Sequence, residues 1–422
     1  MHKQNEKIFL NSESINKRKN IKYIDHRKIG QKLDLYYFQN ESPGMVFWST
    51  NGLTIFHEIK KFIRSELKKH SYHEVKSPLI MKKILWEKTG HWDNFKENMF
   101  SLKKEKKKYC IKPMNCPGHI QIFKKKITSY KDLPIRISEF GTCYRNEPSG
   151  SLYGLMRLQE FTQDDAHIFC TEKQILNEIK KCIKMIYKIY NIFGFRKISA
   201  KLSTRPKNKI GTDEIWNKAE SDLVEALNNK FDYQYGDGAF YGPKIDFNLC
   251  DSLNRTWQCG TIQLDFSLSK KLKATYIDKK NNKRNPVIIH RAIIGSLERF
   301  IGILIEHHKG SLPTWLSPVQ VVIINTDKKQ RNFIKKLVKK LCNIGIRAKE
   351  DLKSNTVALK VRNYSILKIP YIGICGQEEI ESDCISIRTC NGKNLGKFKI
   401  KNFIKMIQDD IISGKTYRRK SY

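Results

Sequence analysis

The sequence predicts an α+β core, an antiparallel sheet flanked by helices, followed by a small α/β domain. Three observations predict it. Segments with apolar residues at three- and four-residue spacing alternate with strand-like runs joined by short loops. After Pro313-Thr314-Trp315 this pattern gives way to regular β–α alternation. The length of 422 residues, at roughly 150 per domain, suits two or three domains. Hydrophobic residues at 40% and aromatics at 11% are enough to build cores, which excludes wholesale disorder. The apolar runs fall well short of the ~18–20 residues that cross a bilayer, and nothing at Met1 has the basic, apolar, small-residue order of a secretory signal. The Cys count of 11, scattered and without a Cys-x-x-Cys pair, predicts free thiols in a reducing, cytoplasmic setting.

In chain order, residues 1–24 read as a polar leader, 25–314 as the first domain and 315–422 as the second. A short helical pattern spans 25–38, with Ile29, Leu33, Tyr36 and Tyr37 on one side. Residues 53–67 form an amphipathic helix through Ile55, Phe56, Ile59, Phe62, Ile63 and Leu67. It runs into an edge strand that ends at Pro78. The lysine-rich run 103–108 and the polar run 278–285 read as solvated hairpin tips. A helix over 172–193 opens with a capping box, Thr171 with Gln174. Another covers 213–227. In the second domain, strands are predicted at 319–324, 346–349, 371–375 and 385–388, and helices around 333–341, 356–366 and 400–412.

Four constellations could carry chemistry. If 161–167 is a strand, Phe161, Gln163, Asp165 and His167 line one face. An acid and an imidazole in one row have little place in a plain core strand. Upstream, a strand breaks at Arg145-Asn-Glu147-Pro-Ser-Gly and the extended pattern returns at 155–158, with Arg157 nearby; guanidinium forks there suit phosphate. The run from His290 to Phe300 reads as helical, with Gly295 inside it and Ser296 and Arg299 sharing a face. Cys116, read as part of a rigid turn, would give an open three-ligand metal site together with His167 and His290. Spacing alone does not bring those three together. The +38 net charge favours a polyanionic partner, but the lysines also crowd loops and solvent faces, so charge by itself does not choose one.

Taken together, these segments resemble the threonyl-tRNA synthetase family of class II aminoacyl-tRNA ligases. GMVFW (44–48), LWEKTGHWDN (85–94), KPMNCPGH (112–119), YRNEPSGSLYGLMR (144–157), FTQDDAHIF (161–169), GAFYGPKIDF (238–247), QCGTIQLDFSL (258–268) and HRAIIGSLERFIGILIEH (290–307) follow the family's order. The likeness runs from about residue 25 to the C-terminus. It implies a class II catalytic core, an anticodon-binding domain, and ATP-dependent ligation of L-threonine to tRNA(Thr) through a threonyl-adenylate.

The resemblance also implies that Cys116, His167 and His290 hold one Zn2+ per subunit, which takes the amino and hydroxyl groups of threonine. Asp165 would pair with the substrate ammonium, and Gln163, Tyr241, Gln263 and Met114 would complete that pocket. Arg145 matches the arginine on the α-phosphate and carboxylate, Arg299 the one at the far end of ATP with its Mg2+, and Phe161 the ring that stacks on adenine. Glu147, Arg157, Gln258, Thr261 and Ser296 fall at further ATP positions, Lys244 and Cys259 elsewhere in the site. Glu379 and Arg388 match residues that read the anticodon. A homodimer is implied, with the helix 53–67 and the following strand at the two-fold. Two departures stand out. The N-terminal region is too short for the family's editing domain, so no editing in cis is expected. Gln159 and Glu160 replace the family's usual Arg and Gly beside the ATP loop. A relative that kept the fold but lost the chemistry would have decayed at Arg145, Glu147, Arg299 or the metal trio, and all are present. A ligase for serine, proline or glycine would not call for that trio.

Overall fold

The computed structural model describes residues 24–415 except Asn229 and Phe240, so all but the last residue of the leader lies outside the described residues. Asp25 caps helix α1 (His26–Lys32) by accepting from the Arg27 N–H. The helix stops there rather than reaching residue 38. Asp34 adopts φ 50°, which a right-handed helix cannot continue through, and Tyr36–Tyr37 leaves as extended backbone paired with Phe47–Trp48. Helix α2 (Thr50–Lys69) buries the expected stripe from Ile55 to Leu67. It delivers the chain to β1 (His73–Glu74), an edge strand as predicted.

The remaining strands of this sheet are β2 (Ile135–Tyr144), β3 (Glu160–Cys170), β4 (Ile198–Ser203), β5 (Asp232–Gln234), β6 (Lys244–Cys250), β7 (Thr256–Asp265) and β8 (Val287–Ala292). Their order across it is β5-β4-β6-β7-β8-β3-β2-β1. The inner pairs are antiparallel and only the two edge pairs are parallel. Alternation along each strand divides the two faces. Ile168, Cys170, Ile262, Leu264 and Ile289 point into the main core. There they meet helices α4 (Ile175–Ile192) and α6 (Leu297–His307), numbered after α3 (Cys116–Phe123) and with α5 (Asp213–Leu227) between them. Each such side chain, fully buried, stabilises the fold by about 1.5–3 kcal/mol. The opposite face keeps a smaller apolar cluster, Ile120, Phe123, Phe169 and Ile288. The polar row continues from it.

Three local expectations need correction. The run from His290 is not helical: β8 ends at Ala292, Gly295 turns at φ 68°, and only then does α6 begin, capped by Ser296. This glycine serves the turn, and a Cβ on it would also meet the Cys259 carbonyl oxygen at 2.8 Å, so it allows a close backbone approach as well. Residues 155–158 form a turn closed by a Tyr153–Arg157 bridge, because Gly154 also takes a positive φ. Cys116 begins α3, with Pro117 suited to its first turn. The lysine-rich tip is a hairpin, Ser101–Lys104 with Lys107–Ile111, whose turn residues Glu105 and Lys106 both have positive φ. The Thr171–Gln174 capping box is present.

In the second unit, β9 (Val321–Asn325), β10 (Ala348–Asp351), β11 (Tyr371–Cys375), β12 (Cys384–Thr389) and β13 (Asn394–Lys399) form a sheet ordered β10-β9-β11-β12-β13. It packs with α7 (Arg331–Asn343), α8 (Val357–Ile366) and α9 (Ile400–Gly414). Strand β13 and the short helix Gln377–Glu381 were not anticipated: both carry more polar than apolar residues. Trp315 packs against Phe62 and Phe193 in the first core. Among the described residues no helix is long and apolar enough to cross a membrane.

Candidate active site

The sheet register sets three functional side chains side by side. Gln263 of β7 pairs with His290 of β8, and His290 with His167 of β3. Helix α3 approaches from across the face and brings Cys116. The Cys116 thiol and one nitrogen from each histidine lie within 4.8 Å of one another. Burial and the nearby Asp165 and Asp265 carboxylates push the Cys116 thiol up, and burial beside His290 and His119 pushes His167 down, into its neutral form.

The outer partners of the two imidazoles define their inner atoms. His290 Nε2 lies 3.0 Å from Asp265 Oδ2. Asp265 is fully buried and its other oxygen accepts from the Ser267 and Leu268 N–H groups. A carboxylate accepts, so His290 carries its proton on Nε2 and keeps a lone pair on Nδ1. His167 Nδ1 lies 2.8 Å from His119 Nδ1, whose Nε2 meets Glu139. By the same logic His167 presents a lone pair on Nε2. Those two lone-pair nitrogens face each other at 2.8 Å, beside a cysteine. Two acceptors turned together next to a thiol call for a cation between them, and a Cys/His/His donor set with an open position suits zinc. The residues fit the metal.

Around this trio, Asn115 donates to Asp165 Oδ2 at 2.9 Å. It reaches that position because Gly141, opposite Gln163 on β2, has no Cβ: one there would collide with the Asn115 amide. Burial raises the Asp165 pKa, so the acid is held short of a positive partner. Tyr241 donates to Gln263 Oε1 at 3.1 Å, and its ring lies 6.1 Å from that of His290. Met114 is half-buried between two small apolar clusters.

Next to the trio opens a cleft of ≈ 320 Å³ lined by Arg145, Glu147, Arg157, Phe161, Gln163, Gln258, Cys259, Ser296 and Arg299 among others. The Arg145 guanidinium sits 5.0 Å from the Phe161 ring centre. Arg157 pairs with Glu147 at 2.7 Å. The Ser296 hydroxyl caps the Arg299 N–H, and Arg299 Nε is buried without a partner among the described residues. Thr261 and Lys244 do not line this cleft; they converge on Asp246, at 2.9 and 3.0 Å. Gln159, one of the two departures noted above, donates to the Glu147 carbonyl and exchanges backbone hydrogen bonds with Gly44 and Arg145, so it braces the loop. Glu160 raises the neighbouring Tyr144, with burial as the larger cause, to about 12.

Several supporting residues escaped the sequence reading. Glu298 accepts from the Thr162 N–H and the Ser296 hydroxyl, tying α6 to β3, and burial lifts it to about 7. Asp265 could have been found two residues after Gln263 on the same strand face, and His119 three residues after Cys116 on the same helical face. Glu139 carried no local signal, and Lys112 and Asn115 lay in the KPMNCPGH string without a role of their own. Asp25, His26 and Glu306 form a second close donor group, but His26 already gives Nδ1 to Glu306 and accepts the Leu155 N–H on Nε2. That group is a staple holding α1 to the 153–157 turn. In the second unit, Glu379 accepts from the Gly376 N–H and the Ser386 hydroxyl, which occupies both oxygens within the fold. Arg388 is exposed on β12.

Residues 98–308 match the tRNA synthetase class II core domain (G, H, P, S and T), and residues 320–410 match the anticodon binding domain. The RNA binding domain of threonyl-tRNA synthetase from Cryptosporidium parvum Iowa II is 40% identical, with a TM-score of 0.88 over 91% of this chain and 98% of that one. The Aeropyrum pernix protein described as threonyl-tRNA synthetase ThrRS-1 is 24% identical, with a TM-score of 0.80 over 93% and 97%. Giardia lamblia prolyl-tRNA synthetase, solved with prolyl-adenylate, is 18% identical, with a TM-score of 0.74 over 94% and 80%; these last two speak for the fold alone. With its antiparallel sheet, arginine-lined cleft and trailing α/β unit, the chain belongs to the class II tRNA synthetases. Within that class, threonyl-tRNA synthetases are its structural neighbours.

Proposed function

We propose that the chain joins L-threonine to tRNA(Thr), first forming threonyl-adenylate from ATP and then passing the acyl group to the terminal ribose of the tRNA. The observation that carries this reading is the convergence of Cys116, His167 and His290 within 4.8 Å. These residues would hold a zinc ion, which when bound offers a Lewis-acid site to the substrate amino and hydroxyl groups. The chain's own residues do the rest. Asp165 receives the ammonium, which relieves the burial that now raises its pKa. Gln163, Tyr241 and Gln263 close the pocket around the side chain, with Met114 behind.

Arg145 takes the α-phosphate and the attacking carboxylate, Phe161 stacks on adenine, and Arg299 takes the far end of ATP. Class II synthetases use Mg2+ with ATP, and the ion would neutralise phosphate charge beside these arginines. Carboxylate attack on phosphorus is a problem of placement and charge, so paired arginines suffice without a covalent enzyme intermediate. A pocket that must engage a hydroxyl rejects valine by about 10⁴ or more, but serine, one methyl smaller, by only ~10–200-fold. We further assign a homodimer through α2 and β1, and a cytoplasmic setting in which the cysteines other than Cys116 stay free thiols.

ATP–pyrophosphate exchange with threonine, serine and valine tests the reading. Exchange should be strong with threonine, weaker by one to two orders of magnitude with serine and negligible with valine. Cys116→Ser should abolish it without unfolding the chain. Threonine-dependent exchange unchanged in that variant contradicts the proposal.

A further inference from the structure

Behind His167 lies a chain of buried polar groups that the adenylation chemistry does not use. His119 is 0% exposed, Lys112 2%, Glu139 4% and Ser77 4%. Glu139 Oε1 accepts from Lys112 Nζ at 2.8 Å; Oε2 accepts from the Ser77 hydroxyl at 2.8 Å and faces His119 Nε2 at 3.0 Å. Lys112 also donates to the Ser77 hydroxyl. Burying this many charged groups is costly unless they serve each other or a neighbour.

We propose that His119, braced by the Lys112–Glu139 ion pair, is a positioning residue that fixes the proton of His167 on Nδ1 and so directs its Nε2 lone pair at the metal. The inference rests on the zinc reading above. The carboxylate of Glu139 can only accept, so His119 Nε2 carries a proton. With Nε2 turned to Glu139 at 3.0 Å, His119 presents Nδ1 to His167 Nδ1 at 2.8 Å as the acceptor of that contact. Cys116 and His119 stand three residues apart on α3, so one helix face carries both the thiol and this brace. Partners of this kind orient the ligand and raise its basicity.

Two measurements on the full chain test this. In the first, zinc affinity is read by chelator competition for the wild type, His119→Leu and His119→Asn, with urea unfolding of each zinc-free protein alongside. Leucine offers His167 no acceptor, whereas the asparagine carbonyl does. Affinity should fall roughly 10–100-fold in His119→Leu and recover in part in His119→Asn. Equal affinity in all three, or loss that tracks zinc-free stability with no rescue by asparagine, overturns the inference. In the second, ¹⁵N-histidine NMR of the wild type, which needs no variant to fold, should show His167 protonated on Nδ1; protonation on Nε2 overturns it. A wild type that binds no zinc sinks the metal reading instead, and the NMR result on the metal-free chain still decides the tautomer.

Discussion

Asp165 and Asp265 lie on the same sheet face near the same cysteine, yet they do different work. Asp265 has both oxygens engaged, by His290 and by the backbone of the following turn, and so acts as a brace. Asp165 accepts from Asn115 and, in the function proposed above, receives the substrate ammonium. Asp165→Asn should therefore lower threonine-dependent exchange by at least 100-fold with zinc content unchanged, whereas Asp265→Asn should weaken zinc binding about 10–100-fold; metal analysis beside the exchange assay separates the two. Glu139 supplies a pH test. Burial disfavours its charge, but hydrogen bonds from His119, Lys112 and Ser77 outweigh that and lower its pKa to about 2 from an ordinary 4.5. The folded value lies below the unfolded one, so its stabilisation is complete above pH 4.5 and fades as the pH falls toward 2. Glu139→Gln should be less stable at neutral pH and lose less further stability through that window, as read by urea melts at stepped pH. At this scale the sequence exposed the inner residues, Cys116, His167, His290 and Asp165, through motif strings. Lys112 stood in the same string as Cys116, but its pairing with Glu139 stayed hidden, because only the fold brings a lysine before α3 to a glutamate in the middle of β2.

At the scale of the elements, the face-splitting of β3 was legible from alternation alone: Phe161, Gln163, Asp165 and His167 share one face, and Thr162, Asp164 and Ala166 the other. Helices α2, α4 and α5 were legible from their apolar period. What misled was backbone sign. Asp34, Gly154 and Gly295 all take positive φ, and an apolar period says nothing about where the chain turns through the left-handed region. Two substitutions test element positioning. Gly141→Ala places a methyl where the Asn115 amide sits, so it should raise the KM for threonine several-fold and cost on the order of 1–3 kcal/mol in thermal or urea unfolding. His26→Ala leaves the Leu155 N–H without its buried acceptor and takes the imidazole from Glu306, which keeps the residue-26 N–H and Arg255. It should destabilise the chain by roughly 1–3 kcal/mol and raise the KM for ATP, since the released turn carries Arg157.

Across the whole molecule, the change of pattern after residue 314 marked a second unit. The packing of Trp315 against Phe62 and Phe193 was not visible, since contact with a distant core leaves no local trace. Glu58 of α2 pairs with Arg347 and Lys415 of the second unit, joining the two across their boundary. The charge of +38 fits a polyanionic partner. The apparent affinity for tRNA should fall linearly on a log–log plot against salt, and Arg388→Ala should weaken tRNA binding while leaving pyrophosphate exchange as in the wild type.

X-ray absorption at the zinc edge of the purified chain addresses the centre of this account most directly. One zinc per subunit, with one sulfur and two imidazole nitrogens in its first shell, is the expected result. A protein charged with zinc whose metal lacks sulfur ligation, or a chain that retains no zinc while activating threonine at full rate, contradicts it.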